Sequence, residues 1–594
     1  MKIKSVKILG DNFRSLAANK LYEFNVSFRQ DRLSTKVFAG LNGSGKSNFL
    51  ELFSEIFYFL EIYHLDTVSE EEKSSKNFGF EIEYFLTKTV EDIKEIFEDD
   101  INYSIEDFIN NNSKITGLQK EDFEVKYYKE IDDLEKSELQ KIVSEFLNKN
   151  QIHIKISKPL GKNPEFSIRN IDTKKSDRTV LKSNLLLPKK IIAYTSGQNE
   201  LMSNPYYKLK YHYFKAFENK GKIEKGEELA ENHRLFFLDY NANFSIFIAN
   251  MLLGEETKAN VLKKVLQIEN LVSFRITLNT DDLFKKVLPV SENIAENLEK
   301  LKCCASIWKE KKVGKYNLLI LDFSIDDAIK DTFKFHFKNA FSLFKVFYEL
   351  EIFNLYLVNS TTRRQILNAN KTLNISDEMP KPDPSRLVFR IEKIVISKIL
   401  ENGKSEKDIY YKSLSDGEHQ FNEVVGTVVM MQDEGCLFLM DEPDTHFNPQ
   451  WRAKFINTLN LAAANSYDSE GNITKVRNQE LILTTHSPFV ISDSYSQDVY
   501  KFEKIDGLVQ FNSPEFQVYG TSVSIILDEI FEKSEGISEM AKKELKDMVE
   551  KITTTDELRN VVERLNSDFG DSVEKFDLFS KLRNIKDELE KSGK

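Results

Sequence analysis

Eight residues near the start of the chain, Gly40-Leu41-Asn42-Gly43-Ser44-Gly45-Lys46-Ser47, fit the phosphate-loop pattern G-x-x-x-x-G-K-[ST]. Lys36-Val37-Phe38-Ala39 before them is short and apolar, as a buried strand is. Asn48-Phe49-Leu50-Glu51-Leu52-Phe53-Ser54-Glu55-Ile56 after them carries apolar residues at helical spacing. Strand, glycine loop and helix is the context this pattern needs, and it commits the chain to an α/β fold. Glycines let backbone N–H groups curl around the β- and γ-phosphates, where the helix N-terminus adds its positive dipole end. Lys46 brings a point charge, and the Ser47 hydroxyl is placed to hold Mg²⁺. The expected phosphate-binding set is Gly40, Asn42, Gly43, Ser44, Gly45, Lys46 and Ser47, with Asn48 at the helix start.

The other half of such a site lies some 400 residues further on. Cys436-Leu437-Phe438-Leu439-Met440 is an apolar strand that ends in two carboxylates, Asp441 and Glu442. So apolar a strand would bury acids only for cation or water chemistry. Asp441 is therefore expected behind Mg²⁺, and Glu442 as the general base that polarises the attacking water. Leu481-Ile482-Leu483-Thr484-Thr485 is a second such strand, followed by His486, which would reach the γ-phosphate. Ser413-Leu414-Ser415-Asp416-Gly417-Glu418-His419-Gln420 opens a helix through Phe421, Val424, Val425 and Val428, another anion-binding arrangement.

With 594 residues the chain has the length for two or three domains, and 41% hydrophobic with 30% charged residues suits a globular protein. No apolar run is long enough to span a bilayer. The first residues alternate like a strand and have no signal-peptide core, and the three cysteines have no metal spacing. A cytoplasmic protein is expected. The net charge of −12 argues against a protein that coats nucleic acid with its whole surface, but leaves room for a local basic groove.

Between the two halves, the segment from Lys158 to Lys190 holds nine Lys/Arg against three Asp/Glu. It reads as a solvated loop or as a nucleic-acid or partner surface. With only Phe166 among its aromatics, base stacking is unsupported. Residues 205 to 370 are aromatic-rich and mostly helical in period, including Leu235-Phe236-Phe237, and lack the sustained heptads of a long coiled coil. The tail reads as amphipathic helices at Val523-to-Phe531, Ile537-to-Ile552, Asp556-to-Leu565 and Asp571-to-Leu589, with Asp571 and Glu574 as a capping box.

Taken together, these motifs resemble an ABC-type ATPase head of the SMC, RecF and RecN kind. Asn12-Phe13-Arg14-Ser15-Leu16 resembles the first-strand motif, Gly40 to Ser47 the Walker A and Leu414-Ser415-Asp416-Gly417-Glu418 the signature. Cys436 to Glu442 resembles the Walker B, Thr485-His486-Ser487 the switch, and Gln198 the Q-loop glutamine, a further metal ligand. Asp416 stands where transporter signatures carry glycine. More narrowly, Ser415-to-Phe421, Asp441-to-Trp451 and Tyr519-to-Leu527 resemble the stand-alone anti-phage ATPases such as PtuA of Septu and retron systems.

The resemblance implies a mixed-sheet α/β head with flanking helices, a large, mainly helical inserted lobe and a helical tail. It implies ATP and Mg²⁺ as ligands, with catalytic Glu442 and His486, metal ligands Ser47, Gln198 and Asp441, and Ser415, Gly417 and Glu418 acting in trans. The expected units are the head at 1–90, 185–204 and 381–510, a mixed insertion at 91–184, the helical lobe at 205–380 and the tail at 511–594. At least a homodimer of heads follows, with an HNH-type nuclease as partner, DNA or RNA as a candidate ligand, and no membrane. A RecF- or RecN-like repair ATPase is the alternative. An OLD-like protein with its own nuclease is the second, although the tail lacks alternating Toprim strands.

Overall fold

The computed structural model describes residues 1–65, 68, 73, 78–88, 151–168, 183–197, 200–218, 233–281, 292–314, 316–367, 375, 383–399, 406–532, 537–550 and 552–592. The centre is a seven-stranded sheet. Its strands run, edge to edge, Leu508–Asn512, Val499–Ile505, Ser34–Ala39, Glu480–Thr484, Leu437–Asp441, Ile191–Thr195 and Leu235–Phe237. All neighbours pair in parallel except the first two, which form an antiparallel hairpin. Leu437–Asp441 and Glu480–Thr484 are buried throughout, which is why they read as unbroken apolar runs rather than alternating ones.

Register decides where the chemistry goes. Asp441 pairs with Thr484 on one side and Thr195 on the other, and Thr484 pairs with Phe38. The loops after these strands therefore leave the sheet at one level, at its carboxyl edge, the usual ligand crevice of a parallel sheet.

The helix Lys46–Tyr63 follows the phosphate loop and lies between this sheet and a five-stranded antiparallel one. The second sheet is built from Leu21–Glu23, Lys2–Leu9, Gly79–Thr87, Gln151–Lys158 and Glu165–Ile168. Aromatic rings fill the gap: Phe49 meets Tyr22 edge-on at 5.0 Å and Phe38 at 5.9 Å, and Phe57 and Phe59 meet Tyr84 and Phe80. Such pairs add roughly 0.5–1.5 kcal/mol each beyond their buried area. The sheets are joined at Glu480, whose carboxylate accepts from the Ile3 N–H at 2.6 Å and pairs with Lys36 at 2.8 Å, all buried. On the helix's own flank, Glu61 accepts from Tyr213 and Arg234.

A third sheet joins strands of the expected helical lobe, 205–380, to two from the segment expected in the head, 381–510. Ile307–Val313, Tyr316–Ser324, Ile268–Asn279, Phe389–Ile399 and Glu406–Tyr410 pair antiparallel in that order. Helices Tyr240–Leu253, Glu256–Leu266, Glu292–Cys304, Asp327–His336 and Ala340–Ile352 make up much of the rest of the lobe. Leu235-Phe236-Phe237, expected in a helix, is instead the edge strand of the central sheet beside Ile191–Thr195. Three apolar residues carry no period, and the long-range pairing decides.

The tail is helical as expected, with Val523–Phe531, Glu539–Glu550, Thr555–Asp568 and Val573–Ser592. The last three enclose a small core of their own around Leu545, Met548, Leu565, Leu578 and Leu582. The capping box sits at Thr554 and Glu557 rather than at Asp571 and Glu574. At the last helix the Lys575 N–H bonds the Ser572 hydroxyl instead. No helix among the described residues is long and apolar enough to cross a membrane.

Candidate active site

The phosphate loop runs from the end of Ser34–Ala39 into the helix that starts at Lys46. Gly45 is the N-cap in the left-handed region, φ +91°. A Cβ there would sit 2.3 Å from a Val509 methyl and 3.1 Å from the Ser15 hydroxyl, so both conformation and space demand glycine. Asn48 Nδ2 donates to Ser15 Oγ at 2.6 Å, tying the loop to the Asn12–Leu16 motif, and Arg14 pairs with Glu51 at 3.0 Å on the same helix. Asn48 thus braces the loop, with its amide turned to the first-strand motif.

Lys46 is buried, and its ammonium folds back onto the carbonyls of Gly40 at 2.9 Å and Leu41 at 3.0 Å. Ser47 Oγ donates to Asp441 Oδ1 at 2.8 Å, and Thr484 Oγ1 donates to the same oxygen at 2.6 Å. Thr484 also accepts from the Glu442 N–H at 2.9 Å. One threonine on the neighbouring strand therefore fixes both acids, and motif reading gave it no role. Glu442 itself turns the chain in the left-handed region, φ +51°, as the strand ends. Its side chain is 42% exposed and lies 3.5 Å from Nε2 of His486. The phosphate loop, Asp441, Glu442 and His486 thus converge although they come from three strands far apart in sequence.

Electrostatics separate the roles. Burial pushes Lys46 down to about 8, against the pull of the Glu442 and Asp441 carboxylates. Burial and then the Lys46 charge push His486 down to about 4, against Asp441. His486 is neutral at physiological pH. Asp444, three residues past Asp441, is buried, raised by that burial, and accepts from Thr485 Oγ1 at 3.0 Å.

The residues fit a magnesium nucleotide. Three buried hydroxyls around the crevice, on Ser44, Thr195 and Ser487, have no hydrogen-bond partner among the described residues. Buried polar groups are nearly always satisfied, and an oxygen-rich ligand would satisfy these. Ser47 and Asp441 offer the hard oxygen donors that Mg²⁺ takes. Among the described residues no three His, Cys, Asp or Glu side chains gather as a metal site on their own, so phosphate oxygens would complete the shell. Gln198, expected as a further ligand, lies outside the described residues.

The signature residues occupy a different place. Asp416–Met430 is a helix with Ser415 as N-cap, and Ser415 and Glu418 form a reciprocal capping box. Glu418 also pairs with Lys398. The structure thus turns Glu418 toward its own helix cap, while Ser415 and Asp416 face solvent. Gly417, partly buried, packs against the His446 carbonyl.

The lowered Lys46 gives a binding prediction. Above about pH 8 the empty loop holds Lys46 largely neutral, and an arriving polyphosphate raises its proton affinity. ATP binding near pH 8.5, measured calorimetrically in buffers of different ionisation enthalpy, should take up a substantial fraction of one proton. Uptake should fade toward about pH 7, where Lys46 is already charged, and vanish in Lys46→Arg, which does not titrate there. Equal apparent enthalpies in all buffers would contradict it.

Comparison with known proteins fits this geometry. Residues 307–492 match a family described as "AAA domain, putative AbiEii toxin, Type IV TA system". That segment takes in Ser415, Asp441, Glu442 and His486 and begins after the phosphate loop. A stretch of 122 residues is 23% identical to Protein ea59 of Escherichia phage lambda, covering 20% of this chain and 21% of that protein. The match thus spans about a fifth of the curated relative. The matched family and the residues gathered at the carboxyl edge of the sheet together support a generic ABC/AAA-type ATPase.

Proposed function

We propose that the chain is an ATP-driven switch whose heads associate around bound ATP, part on hydrolysis, and control a partner effector nuclease of HNH type in defence against phage. One observation carries the switch: Lys46, Ser47, Asp441, Glu442 and His486 converge on one crevice, while Ser415 and Asp416 stand open to solvent on a capped helix start. In this reading a second head brings its bound phosphate to that open turn, so Ser415 and Gly417 act in trans.

In this reading Lys46 and the loop amides hold the phosphates, and Ser47 and Asp441 would hold magnesium, which when bound would supply charge neutralisation at the transferring phosphoryl group. Glu442, anchored through its N–H by Thr484, accepts the proton of the attacking water. His486, neutral and 3.5 Å away, offers a ring N–H to water or a phosphate oxygen. Two facts favour the defence setting: the matched family's description names an AbiEii toxin of a type IV TA system, and the relative is a phage protein. The PtuA-like motifs point the same way and suggest the nuclease partner.

The test is plating. A bacterial host carrying the chain with its neighbouring genes is challenged with a panel of DNA phages, beside the same host carrying Lys46→Ala. Plaque numbers should fall sharply with the wild type and recover with the variant. Equal plating in both would sink the defence role and leave the ATPase.

A further inference from the structure

The buried amide of Gln420 sits where signature and Walker B meet. It is 2% exposed, in the second turn of the helix that Ser415 caps. Its Nε2 donates to the Glu442 carbonyl at 3.4 Å and to the Tyr194 hydroxyl at 3.1 Å, and its Oε1 accepts from the His446 N–H at 2.8 Å. One side chain therefore holds both ends of the turn from Glu442 to His446. The other side of Glu442 is held by Thr484. Clamped on both peptide groups, Glu442 keeps a left-handed conformation that L-residues adopt only when their surroundings impose it.

The contact extends beyond one amide. A Cβ on Gly417 would stand 2.7 Å from the His446 carbonyl oxygen, so the signature turn and this loop touch with no slack. Phe421, next to Gln420, packs on Phe447 at 5.8 Å and Trp451 at 5.3 Å, and those two rings meet at 5.9 Å. The segment from Glu442 to Trp451 is thus docked onto the first turns of the signature helix.

We propose that Gln420 is a positioning residue that aims Glu442 from the signature helix of the same chain. The consequence rests on the head-association reading above. Where Ser415 meets the nucleotide of the partner head, Gln420 passes the state of that contact to the base acting on the chain's own nucleotide. Each site is then tuned by the occupancy of the other through a side chain that touches neither ligand.

The experiment compares wild type, Gln420→Leu, Gln420→Glu and Tyr194→Phe in steady-state ATPase assays, with binding of a fluorescent ATP analogue and thermal melting on the same samples. Gln420→Leu removes the donors and the acceptor. Gln420→Glu keeps the shape and the acceptor for His446 but sets a carboxylate against the Glu442 carbonyl. Both should lower kcat by about tenfold or more while nucleotide affinity stays within about twofold, and both should melt below wild type, because the buried site loses its donors or gains an unpaired charge. Tyr194→Phe, which spares the Glu442 and His446 bonds, should stay near wild type. The proposal is overturned by an unchanged kcat in Gln420→Glu, or by kcat falling only in step with affinity. ATP-dependent association is scored separately by light scattering on the wild type. Its failure removes the head-association reading, while the kcat split still decides whether Gln420 positions Glu442.

Discussion

Glu442→Gln is expected to bind ATP, to turn it over at least about a hundredfold more slowly, and to accumulate as an assembly larger than the nucleotide-free protein. General-base catalysis contributes about 10²–10⁴-fold, and an amide cannot accept the proton of the attacking water. The fold should not suffer. The backbone at 442 is held by Thr484, Gln420 and Thr445 through its N–H and carbonyl, none of which the change removes. The side chain is 42% exposed, so replacing its charge strands nothing in the interior. Gln enters the left-handed conformation with the same Cβ as Glu. Losing a carboxylate beside Lys46 leaves the loop more positive, so ATP affinity should hold or rise. Turnover by phosphate release and size by light scattering, with and without ATP, check both parts. Unchanged hydrolysis would show that the proton goes elsewhere, and blocked hydrolysis with no larger species would separate the base from the switch.

What could be read from the sequence follows a physical division. Phosphate loops and acid-ended strands are local: glycine conformation, helix start and carboxylate chemistry crowd into a few neighbouring residues. Gly40 to Ser47, Asp441, Glu442 and His486 were legible for that reason, and the structure brings them together. The tail helices were legible because amphipathic period is also local. Thr484, Thr195 and Gln420 were not. They matter through sheet register or through a helix docked on a loop; Thr484 and Gln420 lie inside stretches the sequence singles out, yet nothing local gives them their contacts. Thr484 lay in plain sight within an apolar strand. Only its pairing with Asp441 gives it a task. The pairing of the third sheet escaped for the same reason, because Ile268–Asn279 pairs with Phe389–Ile399 more than a hundred residues on. Leu235–Phe237 shows the limit most directly. As a strand edge it is defined by Ile191–Thr195 rather than by its own three residues.

Mixing two inactive variants tests the trans arrangement that the open signature turn implies. Lys46→Ala removes the buried cation on which phosphate binding depends, so its own crevice should no longer hold ATP. Ser415→Arg puts a long side chain on the exposed helix start. It forfeits the capping box, a loss of about 1 kcal/mol of helix stability, which a chain of this size tolerates. Each variant alone should fall below about a hundredth of wild-type turnover, since oriented charge stabilisation is lost at every site. In a two-fold pair of heads, one Lys46→Ala chain and one Ser415→Arg chain make one composite site with both defects and one with neither. Random pairing of equal amounts makes half of the pairs mixed, so activity should return to about a quarter of wild type if sites act independently. Should Gln420 couple the sites, recovery falls below that fraction, because the intact site answers to an empty neighbour. Were signature and phosphate loop of one chain to serve the same nucleotide, every mixture would stay as inactive as its parts.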